Sequence, residues 1–172
     1  MLATSLTRRS LLLWGATTVL AACSTTTIPM KQAQPVRNSS PENLSDEEIM
    51  SAINATRRAH GAPAWSYNQQ LENAARTHAR LMAQKNQFSH DLGGTLRARV
   101  TAAGYQGAVG ENLAKGYSSI EGTIEGWLKS PGHRQTLLTH RFSEFGLAAA
   151  RSASGKFYWA MIAGGDFSAW QN

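Results

Sequence analysis

The chain has 172 residues, 17 basic against 11 acidic for a net charge of +6 before histidine, and one cysteine, Cys23. A lone cysteine rules out an internal disulfide, so the fold must be held by its core. The positive charge is scattered, with no run of five Lys or Arg and no aromatics interleaved with basic residues, which argues against nucleic-acid binding.

The first 22 residues read as an export signal. Thr7-Arg8-Arg9-Ser10 precedes Leu11-Leu12-Leu13 and an apolar run to Leu20, and Ala21-Ala22 supplies the small residues of a cleavage site. That run is too short, and too rich in Ala, Thr and Gly, to span a bilayer comfortably. The paired arginines resemble a twin-arginine export address. Leu20-Ala21-Ala22-Cys23 resembles the lipobox of bacterial lipoproteins, which implies cleavage before Cys23, acylation of its thiol and attachment to a membrane. Ser24, not Asp, follows the cysteine, which points toward sorting to an outer membrane in a cell that has one. From Cys23 to Asn43 the chain has the Thr, Ser, Pro, Gln and Asn of a flexible tether, long enough to hold a domain about 25 Å from the lipid.

Residues 44–172 form one domain of ordinary size. Ser45-Asp46-Glu47-Glu48 is a capping box that starts a helix stopped at Gly61 and Pro63. A second helix spans about Gln69 to Lys85, with Leu71, Ala74, Ala75, His78 and Met82 on one stripe. A short helix covers Thr95 to Ala103, a fourth runs from about Ser119 to Lys129, and Pro131-Gly132 opens a fifth through Leu138. Phe145 to Ala150 and Lys156 to Ala163, joined by Ser152-Ala153-Ser154-Gly155, read as a β-hairpin. Helices first and strands late predict an α+β fold, helices packed on a small antiparallel sheet.

Three polar motifs stand at predicted element boundaries: Phe88-Ser89-His90-Asp91, Gly110-Glu111-Asn112-Leu113-Ala114 and Ser130-Pro131-Gly132-His133-Arg134. Two imidazoles and one carboxylate are the ligand types of zinc or a similar divalent ion, with water completing the shell. The bland alternative is two surface histidines and a glutamate accepting backbone hydrogen bonds in a tight turn. His78, on an apolar stripe, reads as a hydrogen-bonded core histidine. Asn112 reads as the residue fixing the loop that presents Glu111. Trp65, Trp127 and Trp159 read as packing anchors.

Together these segments resemble the CAP superfamily, or SCP domain, in its short bacterial form. The resemblance runs from Asn54-x-x-x-Arg58-x-x-x-Gly61 and Ala74-Ala75-x-x-His78-Ala79 through the three polar motifs and Arg99-x-x-x-Ala103-Gly104-Tyr105 to Phe145-Gly146-Leu147-Ala148. It implies an α-β-α sandwich and a cleft lined by two histidines and two acidic residues that holds a divalent ion in some members. By motif the histidines are His90 and His133 and the first acid is Glu111. The second acid is expected three residues after Trp127, where this chain has Ser130; Glu125, five residues earlier on the helix, points elsewhere.

Two functions follow as expectations. The first, favoured by the resemblance, is non-enzymatic binding of a lipid, small ligand or envelope protein, with zinc or another divalent metal in the cleft. The alternative is a hydrolase using metal-bound water, or Ser130 as nucleophile with His133 as base.

Overall fold

Local capping chemistry fixes where each helix begins. In the computed structural model, which describes residues 39–171, α1 spans Asp46–Ala59. Ser45 accepts from the Glu48 backbone N–H, and the Glu48 carboxylate accepts from the Ser45 N–H at 2.8 Å, a closed capping box. Asn68 caps α2 (Gln69–Lys85), Thr95 caps α3 (Leu96–Ala102) and Ser119 caps α4 (Ile120–Lys129). Pro131 opens α5 (Pro131–Leu138). The export signal, Cys23 and most of the tether lie outside the described residues. The end of the segment assigned to the tether, Pro41–Asn43, forms a 3-10 turn, and Glu42 accepts from the Arg151 N–H at 3.0 Å. Ordered contacts of the domain thus begin ahead of Leu44.

Four strands form one sheet: β1 (Ser66–Tyr67), β2 (Ala108–Lys115), β3 (Glu144–Arg151) and β4 (Phe157–Gly165), in the order β1-β3-β4-β2. The hairpin β3–β4 and the pair β4–β2 are antiparallel. The short β1 pairs parallel to β3, so the sheet is mixed and not the purely antiparallel one expected. A second correction concerns β2. Its Gly110, Glu111 and Asn112 hide strand alternation in the sequence and read as a loop, yet they sit in regular register opposite Ala163, Ile162 and Met161.

Helices cover both faces, giving the expected α-β-α sandwich. On β4, Trp159, Met161 and Ala163 face α1, α4 and α5 and join the core of Ile53, Ile124, Trp127 and Leu137. Tyr158, Ala160 and Ile162 face α2 and join Leu71, Ala75, Ala79 and Met82. The two-residue period of a strand sorts these side chains. Contact between β3 and α2 is too close for a side chain: a Cβ on Gly146 would stand 2.0 Å from the Glu72 backbone nitrogen. Glycine there lets the helix lie directly on the sheet.

Arg57 ties α1 to the far end of the domain. Fully buried, it donates to the carbonyls of Pro63, Leu137 and Thr139 and lies 3.7 Å from the Trp65 ring centroid. Burial pulls its pKa down to about 10, which leaves it charged at neutral pH.

Candidate functional site

The loop after α2 is built to present His90. Asn86 ends α2 in the left-handed conformation, φ 48°, and its side-chain oxygen accepts from the Tyr158 hydroxyl at 2.8 Å. Gly93 and Gly94 carry positive φ and turn the loop back toward α3. Arg99 on α3 then clamps the loop, donating to the carbonyls of His90 and Gly94, both at 2.6 Å.

The same guanidinium reaches the sheet. Arg99 donates to Glu111 Oε1 at 2.6 Å, and His90 Nδ1 lies 2.8 Å from Glu111 Oε2. The Glu111 side chain is 2 % exposed, that of Arg99 7 % and that of His90 55 %. A buried carboxylate is thus neutralised by a buried cation while the imidazole beside it faces solvent. In the sequence Arg99 stands out only as one position of the Arg99-x-x-x-Ala103-Gly104-Tyr105 motif, with no partner indicated. A glutamate at an inward strand position demands a cation, and that demand was the available signal.

Strand geometry separates the third expected member. Glu111 faces α2 and α3, so its neighbour Asn112 faces the opposite side, where its amide donates to the His133 carbonyl in α5 at 2.8 Å. Asn112 is fully buried and fastens α5 to the sheet edge, in place of fixing a loop. His133 is half-buried; burial first, and the charge of His90 second, push its pKa below the usual histidine value. The two imidazoles therefore feel each other across the sheet edge. Ser130 sits between α4 and α5 as N-cap of α5, and its side chain makes no capping bond. Glu125 is exposed beside Lys129.

The expected metal ligands His90 and Glu111 are hydrogen-bonded to each other. Both Glu111 oxygens are occupied, and among the described residues no three His, Cys, Asp or Glu side chains are grouped to hold an ion. The arrangement offers two imidazoles and a neutralised carboxylate, a surface that can exchange hydrogen bonds with a ligand's oxygens and amides.

His78 is the second surprise. It is fully buried as expected of a core histidine, but neither ring nitrogen has a hydrogen-bond partner. Its Nε2 stands 4.0 Å from Glu111 Oε1, too far for a hydrogen bond. Burial dominates in lowering its pKa; the Glu111 charge and the nearby Ser89 backbone oppose that, and the Arg99 and His90 charges add to it.

The sequence profile of the cysteine-rich secretory protein family, CAP, matches residues 50–163, a span that includes His78, His90, Arg99, Glu111 and His133. The chain belongs to the CAP family. An uncharacterised membrane protein of Bacillus subtilis, YlbC, is 32 % identical over 114 residues, which cover 64 % of this chain and 33 % of that protein. An uncharacterised protein of the same organism, YkwD, is 27 % identical over 121 residues, covering 67 % of this chain and 47 % of that protein. The chain thus spans less than half the length of either relative. The crystal structure of an extracellular protein containing an SCP domain from Bacillus anthracis is 30 % identical, with a TM-score of 0.59 over 67 % of this chain and 39 % of that one. An outer surface protein of Borrelia burgdorferi, at 20 % identity and a TM-score of 0.63 over 70 % of this chain and 91 % of that one, has a similar fold.

Proposed function

We infer that this CAP domain is a non-enzymatic binding module, exported and held at a membrane through acylated Cys23, whose cleft between His90 and His133 receives a lipid, a small ligand or an envelope partner. The observation that carries the reading is the state of Glu111. Its carboxylate is committed to Arg99 and His90, so it is not poised as a general base, and Ser130 and His133 form no hydrogen-bonded pair among the described residues. A hydrolase needs an activated nucleophile, an oriented base and oxyanion donors in one place. A binding surface needs only the exposed His90 ring and the neutral His133 beside it.

Export is supported by the leader and by relatives named as extracellular, outer surface or membrane proteins. Cys23→Ala is expected to move the protein from the membrane fraction to the soluble one, or to stall processing; unchanged retention contradicts the anchor. Function is tested by incubating the full chain with labelled phospholipid vesicles and cell-wall fragments, and in parallel with generic ester and peptide substrates. Binding without turnover is expected. Hydrolysis lost in His133→Ala or Glu111→Gln would replace this reading with the hydrolase. Calorimetric titration with Zn²⁺ in the same preparation addresses the metal: heat that vanishes in both His90→Ala and His133→Ala would mean that an ion rearranges the Arg99–Glu111–His90 contacts.

A further inference from the structure

A groove lies between α5 and the 3-10 turn Phe167–Trp170 that follows β4. It measures about 510 Å³, and its lining includes Gly110, Gln135, Thr136, Thr139, Arg141 and Trp170. Gly110 lets its floor close: a Cβ there would stand 2.9 Å from the Phe142 ring and 3.2 Å from Thr136 Cγ2.

The groups that face this groove are open to a ligand. Gln135, Arg141 and Trp170 are exposed, and Trp170 keeps 44 % of its surface accessible although the buried Phe142 ring packs against it. The Arg141 guanidinium lies 4.7 Å from the indole centroid and has no carboxylate partner among the described residues. The Gln135 amide makes no hydrogen bond among them either. No carboxylate lines the groove, which argues against a cation as occupant. A purely apolar occupant would cover Arg141 and Gln135 and give them nothing to bond. A sugar answers each feature: its C–H face suits the indole, and its hydroxyls and amide suit Gln135 and the two threonines. A carboxylate on that sugar would pair with Arg141.

Placement points the same way. Pro41–Asn43, where the segment from Cys23 joins the domain, is tied to Arg151 at one end of β3. The groove is at the other end, where Gly110 pairs with Ala163 and Ala163 with Phe145. The strand puts about 25 Å between them. The groove is thus remote from the point of attachment and free to meet a polymer beyond the membrane. That orientation rests on the anchor inferred above; the chemistry of the groove does not.

We propose that the groove between α5 and Trp170 is a carbohydrate subsite for an N-acetylated sugar carrying a carboxylate. The ring lies against Trp170, the carboxylate pairs with Arg141 and the acetamido group meets Gln135.

The probes are N-acetylmuramic acid and N-acetylglucosamine, which lacks the lactyl carboxylate. Each is titrated into isotope-labelled full-length chain and followed by NMR at the Trp170 indole N–H and the Gln135 side-chain amide. Saturable shifts are expected with both, the acid binding about threefold tighter, as one exposed charge pair allows. Arg141→Gln should erase that difference. Trp170→Ala should weaken both sugars at least tenfold, and Trp170→Phe should restore most of the loss, which separates stacking from a merely structural effect. Arg134→Gln removes an exposed cation of the same helix that does not line the groove, and should change nothing. Because the readout lies within the domain, it is the same whether or not Cys23 is acylated. The proposal is overturned if no saturable shift appears, if Trp170→Ala binds as the parent does, or if Arg134→Gln weakens the acid as much as Arg141→Gln. Triglutamate shifting the same groups as tightly as N-acetylmuramic acid would overturn it in favour of an acidic peptide.

Discussion

Two buried arginines on opposite sides of the sheet separate scaffold from site. Arg57, on α1, donates to three backbone carbonyls and stacks on Trp65, so its partners are neutral and belong to the fold itself. Arg99, on α3, meets a side-chain carboxylate and two carbonyls of one loop, and leaves Nε unpaired. The first is saturated and locks elements that must not move. The second is an incomplete network beside an exposed histidine, which is how a binding region differs from a clamp.

The largest effect should come from the clamp. Arg57→Ala strands the Leu137 and Thr139 carbonyls and opens a void against Trp65, and is expected to cost about 3 to 5 kcal/mol of unfolding free energy. Urea denaturation checks it, with the midpoint falling accordingly. A loss under about 1 kcal/mol would mean that Arg57 does not hold α1 to the chain after α5.

A smaller effect is expected on the other side. Glu111→Gln keeps the shape but removes the charge opposite Arg99, which retains its two carbonyl partners, so a loss of about 1 to 3 kcal/mol is expected. It should also loosen the His90 loop, seen as faster amide exchange across residues 87–95 with α1 unaffected. Loosening in α1 as well would dissolve the distinction between clamp and site.

The contrast also accounts for what the sequence disclosed. Helix limits were legible because their signals are local: the Ser45–Glu48 capping box starts α1, Gly61 and Pro63 stop it, and Pro131 opens α5, each acting within a few residues. The hairpin β3–β4 was legible because both strands are apolar runs flanking a turn. Strand β2 was not, because Glu111 and Asn112 are satisfied by groups far along the chain, Arg99 and His90 on one face and α5 on the other. Parallel β1 was missed because two residues carry no period. His90, Glu111 and His133 could be named from their motifs, but the alternation that puts Glu111 and Asn112 on opposite faces becomes visible only once the segment is known to be a strand.

The smallest expected effect is a pH dependence carried by two histidines, His78 on α2 and His133 on α5. Burial holds both His78 and His133 below the ordinary histidine pKa in the folded chain. An unfolded chain, with histidines titrating near about 6.5, then binds more protons than the folded one as the solution is acidified. Their contribution to stability is fully present above that value, declines as pH falls through it, and levels off below the folded-state values. Carboxylates add their own acid dependence at lower pH, so the informative quantity is the difference between parent and His78→Phe. Urea midpoints measured from about pH 7.5 to about pH 5 should fall less steeply for His78→Phe than for the parent. Arg57→Lys, which alters the clamp without touching either histidine, should shift every midpoint down and leave the slope as it was. Equal slopes in the parent and His78→Phe would mean that His78 finds a proton-tolerant partner in solution, and would remove the orphaned imidazole that distinguishes this side of the sheet from the other.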